Sequence, residues 1–362
     1  MKRSREDQVP TPRTSATGRL IWGGDGRVRV HPLVETLPAD LRPGQRCSDA
    51  LAARLRRDGY LFVRGLFSRE AVLDARAAIL DAVSTSAVAR SRDASTDRAA
   101  AAGDARDTVA DTPMSLLGRQ DIAALPAVTH ILESPTVAAL LQRSTGAPPG
   151  TEFHPVSAVL SLSGQLQHSE TRAAVLSRHQ VPYKWLRAVG PGLFTGVHMD
   201  RVYFPDIDPL THTCWIPLGD VPVGNGAMMI CEGAHAHGDR RFTTLREHYL
   251  LERKRSGTRE GRQNGTDSGW YTSDAAEICR EFGSDVRWLT ADMSAGDAVI
   301  LPLETLHCTA ANTEAKRHRI SCDVRWVPLR RSRSDGDEDR GIDSESAAQS
   351  TQRGRSQQRQ RT

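Results

Sequence analysis

Two side chains with one residue between them, His198 and Asp200, carry the first chemical signal in this sequence. They lie in residues 194–204, a segment whose alternating pattern predicts a β-strand. Because successive side chains of a strand point to opposite faces, His198 and Asp200 would share a face, which residues two apart on a helix do not do. If the segment is extended, its imidazole and carboxylate could therefore bind one divalent metal ion.

A third ligand could come from His307, far downstream in the chain. Two histidines and one carboxylate on one triangular face of a metal leave coordination positions open, as ferrous oxygenases require. The long separation is no signal by itself, but the strand predicted next, residues 317–326, strengthens the case because charged or polar side chains alternate there with apolar ones. One face of that strand carries Arg317, Arg319, Ser321, Asp323 and Arg325. Guanidinium groups bind carboxylates through two parallel hydrogen bonds, so this face could hold a small dianionic co-substrate.

Two other metal-binding interpretations are open to the sequence. His235 and His237 could form a metal pair of their own. A zinc hydrolase could use the same three ligands, but such enzymes usually employ two or three imidazoles without a neighbouring arginine strand. We favour the ferrous site over both.

The elements that must position these residues divide the chain into a helical first half and a β-rich second half. Helices are predicted at residues 50–57, from Ser68 onward, and over 121–142 with breaks at Pro126 and Pro135. A buried strand is predicted at residues 60–63. Later strands are predicted at 194–204, 212–218, 227–231, 286–289, 298–301 and 320–327. Many short strands separated by turn residues predict a β-sandwich or barrel, here with helices from the N-terminal half.

Composition indicates a soluble globular protein. The 362 residues include 48 Lys+Arg and 44 Asp+Glu, interspersed, so the net charge of +4 does not predict nucleic-acid binding. No apolar run is long enough for a membrane span or a signal peptide. The last three residues, QRT, are not a peroxisomal signal, and the six cysteines contain no C-x-x-C pair. We therefore expect reduced thiols and an intracellular, cytoplasmic location.

We expect one folded domain, residues 17–328, between disordered ends. Residues 1–16 and 329–362 are polar and charged, so neither end can bury enough apolar surface to offset the entropy of ordering. Within the domain, residues 84–112 and 252–269 have the composition of insertions or loops.

Several motifs occur in an order typical of one enzyme family. They are residues 198–205 (HMDRVYFP), 215–226 (WIPLGDVPVGNG), 231–235 (CEGAH), 295–299 (AGDAV) and 307–312 (HCTAAN). Together with an N-terminal motif at residues 58–66, they resemble the successive motifs of the phytanoyl-CoA dioxygenase family. The resemblance extends from about residue 48 to 328. Each motif is weak alone, but their shared order is specific.

This resemblance implies a mainly β fold with flanking α-helices, a double-stranded β-helix of the jelly-roll or cupin type with N-terminal helices. It also implies Fe(II), with 2-oxoglutarate and O2 as co-substrates. By position, His198, Asp200 and His307 match the iron ligands of the family. Because Asp200 is retained, halogenating variants, which replace the carboxylate, are disfavoured.

The resemblance also implies which residues bind 2-oxoglutarate. Arg319 matches the arginine that pairs with its distal carboxylate, and Arg317 is the alternative because the family's usual interval from Asn312 falls between the two. Trp215 and Thr309 match residues that line the same site. The chain departs from the family at Met199, where Gln is common, and at residues 232–235 (EGAH), where Pro-Gly-Ser-His is common.

The implied activity is that of an oxidoreductase, a 2-oxoglutarate-dependent dioxygenase that hydroxylates a small organic substrate and releases succinate and CO2. The family covers fatty acyl thioesters, ectoine-like solutes, alkaloids and other natural products, and for this chain an acyl-CoA, a lipid or a natural product is open. We expect a small-molecule substrate, and neither a membrane nor a nucleic acid as partner. The alternative is a catalytically silent β-helix binding module whose basic loop and tail contact an acidic partner. That loop contains Lys254, Arg255, Arg259 and Arg262.

Overall fold

The computed structural model describes residues 19–36, 41, 44–94, 116, 118–161, 184–205, 207–236, 238–256 and 269–330. The two ends predicted to be disordered lie almost wholly outside these residues, as do 95–112 and 257–268 of the two predicted insertions. The first residues of each predicted insertion continue a helix instead. These helices end at Ala94 and Ser256.

Twelve strands and eight helices can be described. The strands are β1 (Arg19–Gly23), β2 (Gly26–Pro32), β3 (Glu35–Thr36), β4 (Leu61–Val63), β5 (Thr151–Pro155), β6 (Lys184–Val189), β7 (His212–Pro217), β8 (Met228–Cys231), β9 (Trp288–Thr290), β10 (Ala298–Pro302), β11 (His307–Thr309) and β12 (Arg319–Arg330). The helices are α1 (Gln45–Asp58), α2 (Arg69–Ala94), α3 (Gln120–Ala123), α4 (Pro126–Leu132), α5 (Pro135–Ser144), α6 (Val156–Ser161), α7 (Arg240–Ser256) and α8 (Ala275–Phe282).

The described strands form two sheets. One has five strands in the order β1-β2-β9-β8-β11, and the other has seven, in the order β3-β4-β10-β7-β12-β5, with β6 also paired to β12. The β1–β2, β4–β10, β7–β10, β8–β11, β6–β12, β7–β12 and β8–β9 pairs are antiparallel, and the β2–β9 and β3–β4 pairs are parallel. The mainly β fold with flanking helices, predicted as a double-stranded β-helix, is confirmed.

Alternation along the strands gives the seven-stranded sheet one helix-covered face and one face toward the site. On β7 and β12, the side chains of Cys214, Ile216, Cys322 and Val324 join a core with the N-terminal helices. The alternate side chains of the same strands, such as Trp215, are excluded from that core. Because successive side chains of a strand point to opposite faces, burial of the apolar side chains on one face places the polar side chains that alternate with them on the other.

The predicted helical breaks are also present. Pro126 and Pro135 are the first residues of α4 and α5. A proline is tolerated there because the first N–H groups of a helix have no intrahelical partner. None of the helices in the described part of the chain has the length and apolar character of a membrane span.

The predicted strand at residues 194–204 is wrong in its length. Val197 and His198 form only isolated antiparallel bridges, with Thr272 and His307, and a short 3-10 helix begins at Asp200. Met199 still has extended backbone angles, φ −123° and ψ 143°. The chain is therefore extended from His198 to Met199. An extended backbone here is the part of the prediction on which a shared face for the His198 and Asp200 side chains depends.

Candidate metal centre

The side chains of His198, Asp200 and His307 converge inside the protein. One potential ligand atom from each lies within 4.8 Å of the other two, and the three residues are 3%, 0% and 5% exposed. His198 and His307 lie on paired backbones: each N–H donates to the other's carbonyl oxygen over 2.9 Å. Their ring centroids are 4.2 Å apart. Within the described residues, no other group of three or more potential ligands meets this distance.

Backbone carbonyls orient both imidazoles. Nδ1 of His198 donates to the carbonyl of Gly196 over 2.8 Å, and Nδ1 of His307 donates to that of Thr305 over 2.9 Å. A carbonyl oxygen can only accept, so Nδ1 carries a proton in each ring and Nε2 is the nitrogen left to face a metal. Nε2 of His198 lies 3.8 Å from Oδ1 of Asp200. A metal-binding histidine typically has this arrangement, with its second nitrogen held by the protein.

The Asp200 carboxylate is held at both oxygens. Oδ2 accepts a hydrogen bond from Thr213 Oγ1 over 2.5 Å, and Oδ1 lies 2.7 Å from Nη2 of Arg325. Burial alone would raise the pKa of Asp200, but the positive charge of Arg325, the two neighbouring histidines and the Thr213 hydrogen bond lower it, and the net pKa falls below its ordinary value. Burial, with the neighbouring His307, lowers the pKa of His198. Asp200 is therefore anionic and His198 neutral at physiological pH, the forms in which they bind metals.

A second feature of the interior is the buried guanidinium of Arg319, at the start of β12. Its Nη1 donates to Ser321 Oγ over 2.6 Å, but Nε and Nη2 have no hydrogen-bond partner among the described residues. Its Cζ lies 5.8 Å from the ring centroid of Trp215. Burial lowers the pKa of Arg319 to about 10, so the group remains charged at neutral pH. Buried donors without partners are costly, and a carboxylate is the natural acceptor for two of them.

Arg317, the alternative to Arg319, does not reach the interior. Its side chain is exposed, and its Nη2 donates to the carbonyl of Asp220 over 2.7 Å. The reason is that β12 begins only at Arg319, so the alternation predicted from residue 317 does not extend to Arg317.

Trp215 and Thr309 are both buried, as expected of residues lining the site. Trp215 lies two residues after Thr213 on β7, on the same face. The backbone N–H of Thr195 donates to Thr309 Oγ1 over 2.8 Å, which ties β11 to the segment that leads to His198. The structure thus places Trp215 beside Arg319, and Thr309 two residues after His307 on β11.

Sequence reasoning missed the roles of Arg325 and Thr213 at the carboxylate. The alternating pattern of β12 placed Arg325 on the polar face, but only the register shows that it pairs with Thr213 on β7. Of the other candidate pair, His235 donates from Nε2 to the carbonyl of Arg56 over 2.9 Å, and His237 lies outside the described residues.

The residues present fit a ferrous ion with 2-oxoglutarate. Two imidazoles held by the protein at Nδ1 and one carboxylate provide the donor set. The unpartnered nitrogens of Arg319 provide the donors for a carboxylate of the co-substrate.

The chain is similar to several solved structures and to one family of protein sequences. The carbocyclase SnoK from nogalamycin biosynthesis is described as non-heme and alpha ketoglutarate dependent. It is 18% identical to this chain with a TM-score of 0.43, and the match covers 83% of this chain and 90% of SnoK. The epimerase SnoN from the same biosynthesis is 18% identical, with TM-score 0.41 over 78% and 84%. AviO1 from Streptomyces viridochromogenes is 14% identical, with TM-score 0.37 over 77% and 94%. No curated protein sequence matches the chain. The sequence model of the family described as Phytanoyl-CoA dioxygenase matches residues 55–320. With that match over most of its length, the chain belongs to the phytanoyl-CoA dioxygenase family.

Proposed function

We propose that this protein is an Fe(II)- and 2-oxoglutarate-dependent dioxygenase that hydroxylates a small organic substrate, consuming O2 and releasing succinate and CO2. The family and the His-Asp-His group agree on iron and 2-oxoglutarate as its cofactor and co-substrate. The observation that carries the proposal is the pairing of two features in one interior: three convergent metal ligands, and a buried arginine with unpartnered donors.

His198, Asp200 and His307 would hold the iron. The carbonyls of Gly196 and Thr305 fix the two imidazoles through Nδ1, which leaves Nε2 of each for the metal. Bound ferrous iron supplies the oxygen chemistry, and the protein's contribution is to hold the reactants in place and to keep water out.

Arg319 would bind the distal carboxylate of 2-oxoglutarate. Its Nη1 is already held by Ser321 Oγ, which fixes the plane of the guanidinium and leaves Nε and Nη2 for the carboxylate. The Trp215 ring lies beside the same guanidinium, and Thr309 lies two residues after His307 on β11. A preorganised fork of this kind loses little entropy on binding.

Aromatic side chains beside the ligands favour an organic substrate with apolar surface. The rings of Trp185 and Tyr203 pack edge to face with centroids 4.7 Å apart, and the Tyr203 ring lies 6.0 Å from that of His198. An acyl-CoA, a lipid or a natural product would each offer such surface. Hydroxylation at a carbon held there is the reaction we propose.

The test is an anaerobic titration of the purified protein with ferrous iron and then 2-oxoglutarate, following the weak visible charge-transfer band of the chelate. We expect a band in the wild type and no band in His198→Ala. Arg319→Met should need far more 2-oxoglutarate to reach the same band, whereas Arg317→Met, the matched control on the exposed side, should behave like the wild type.

Two results would contradict the proposal. If iron binds but no band forms, the dioxygenase is ruled out and the silent binding module is favoured. If Arg317→Met weakens 2-oxoglutarate binding and Arg319→Met does not, the residue assigned to the co-substrate is wrong. Succinate formed from 2-oxoglutarate in air should follow the same order among the variants.

A further inference from the structure

Arg325 is a buried cation in direct contact with a proposed iron ligand. It is 1% exposed, and its Nη2 lies 2.7 Å from Oδ1 of Asp200. That oxygen is also the one nearer to His198, at 3.8 Å from Nε2. A carboxylate oxygen has two lone pairs, so Oδ1 can contact the guanidinium and still bind a metal.

The guanidinium of Arg325 is fixed in this place. Its Cζ lies 4.4 Å from the ring centroid of Trp185 and 5.5 Å from that of Phe204, and Nη1 donates to the carbonyl of Asp323 over 3.5 Å. Aromatic faces attract a guanidinium and hold it without competing for its hydrogens. The positive charge therefore lies permanently beside the carboxylate.

This charge changes what the three ligands offer to a metal. The imidazoles bind as neutral groups, so Asp200 supplies the one negative charge of the set. Arg325 offsets that charge in an interior where little water or salt screens it. A ferric ion is stabilised more than a ferrous ion by a nearby negative charge. Offsetting the charge of Asp200 therefore weakens the binding of ferric iron more than that of ferrous iron.

We propose that Arg325 is a positioning residue that holds the Asp200 carboxylate and biases bound iron toward the ferrous state. The inference rests on the iron-binding part of the proposed function and not on the substrate. The reaction concerned is the one-electron ferric/ferrous couple of the bound ion. Its oxidant is the O2 that the enzyme consumes, and its reductant in the test is an external electrode.

The test measures the ferric/ferrous midpoint potential of the full chain loaded with iron alone, by spectroelectrochemistry with mediators. Arg325→Gln keeps a hydrogen-bond donor near Asp200 but removes the charge, and Arg325→Lys keeps the charge but loses the planar fork. We expect Arg325→Gln to raise the ratio of ferric to ferrous affinity about tenfold, a fall of about 59 mV for one electron. Arg325→Lys should remain close to the wild type.

The contrast between the two variants separates charge from packing, because both disturb the packing against Trp185. Equal potentials in all three proteins would overturn the proposal, and so would equal shifts in Arg325→Lys and Arg325→Gln. If Arg325→Gln does not fold, Arg325→Met, which fills a similar volume without a polar group, replaces it under the same criteria.

The outcome also distinguishes this proposal from the broader one. If the wild type binds no iron, both fail together. If it binds iron but forms no band with 2-oxoglutarate, the dioxygenase fails, and the potentials still decide the role of Arg325.

Discussion

Arg319 and Arg325 lie on the same face of the same strand, and their surroundings differ sharply. Both are 1% exposed. Arg325 has a carboxylate partner within the chain, Asp200, at 2.7 Å. Arg319 has a single hydrogen bond, to Ser321, and two nitrogens without a partner among the described residues.

The difference shows two uses of one buried residue type. The charge of Arg325 is compensated when the chain folds, so that end of β12 contributes to a built metal site. No described residue accepts from two of the Arg319 nitrogens, so that end of β12 is left to bind an external acceptor at a cost in stability.

The largest expected effect concerns Arg325, whose charge is compensated by Asp200. Asp200→Ala leaves the Arg325 guanidinium buried without its counter-charge, so the free energy of unfolding should fall by about 3–5 kcal/mol. Denaturant unfolding of the iron-free protein measures it. The double variant Asp200→Ala/Arg325→Met should recover most of this loss but bind no iron. A single variant as stable as the wild type would show that the ion pair is not a buried pair in solution.

On the other side, Arg319→Met should separate stability from binding. It removes donors that lack partners, so the free energy of unfolding should stay the same or rise, by up to about 1–3 kcal/mol. The affinity for 2-oxoglutarate should fall by about 2–5 kcal/mol, because its distal carboxylate loses a charged partner. Unfolding curves and the anaerobic titration measure the two quantities. A loss of stability of the size seen in Asp200→Ala would remove the distinction between the two arginines.

The sequence predicts that Arg319 and Arg325 share one face of β12, because the alternation of polar and apolar residues is a local property of the chain. The pattern of β12 correctly places Arg319, Ser321 and Arg325 on one face, since its intervening apolar residues had to join a core. The same kind of pattern failed at residues 194–204, where a 3-10 helix begins at Asp200. Hydrogen bonds within the turn and the ion pair with Arg325 hold Asp200 there, and neither is visible in the local pattern.

The partners of the two arginines could not be predicted, because they depend on contacts distant in sequence. Arg325 meets Asp200 only because β12 pairs with β7 in a register that sets Arg325 opposite Thr213. The choice between Arg317 and Arg319 depended on where β12 begins, and strand boundaries are poorly defined by composition. The order of the sequence motifs indicated the family, but it does not predict these contacts between residues distant in sequence.

A smaller effect is expected from the second contact to Asp200. Thr213→Val keeps the shape of the side chain but removes the hydrogen bond to Oδ2, which should lower the free energy of unfolding by about 1.5–3 kcal/mol. Thr211→Val is the matched control, since the Thr211 hydroxyl is buried without a hydrogen-bond partner among the described residues. That change should be neutral or stabilising. Equal losses in both variants would mean that Thr213 acts by packing alone.

The smallest expected effect concerns the ring of Trp215, which lies beside Arg319. Trp215→Phe keeps an aromatic face near Arg319 but weakens its attraction for the guanidinium. The orientation of Arg319 should loosen, and the dissociation constant for 2-oxoglutarate should rise about two- to fivefold, or about 0.5–1 kcal/mol. The titration used for Arg319→Met measures it.

Trp326→Phe provides the control for this ring. Trp326 is as buried as Trp215, but it lies on the opposite face of β12, in the core shared with the N-terminal helices. Both substitutions remove similar volume and should lower the free energy of unfolding, because both leave space in a packed interior. Only Trp215→Phe should change the affinity for 2-oxoglutarate. If Trp326→Phe changes it equally, the affinity responds to the stability of the sheet, and Arg319 does not depend on its neighbouring ring.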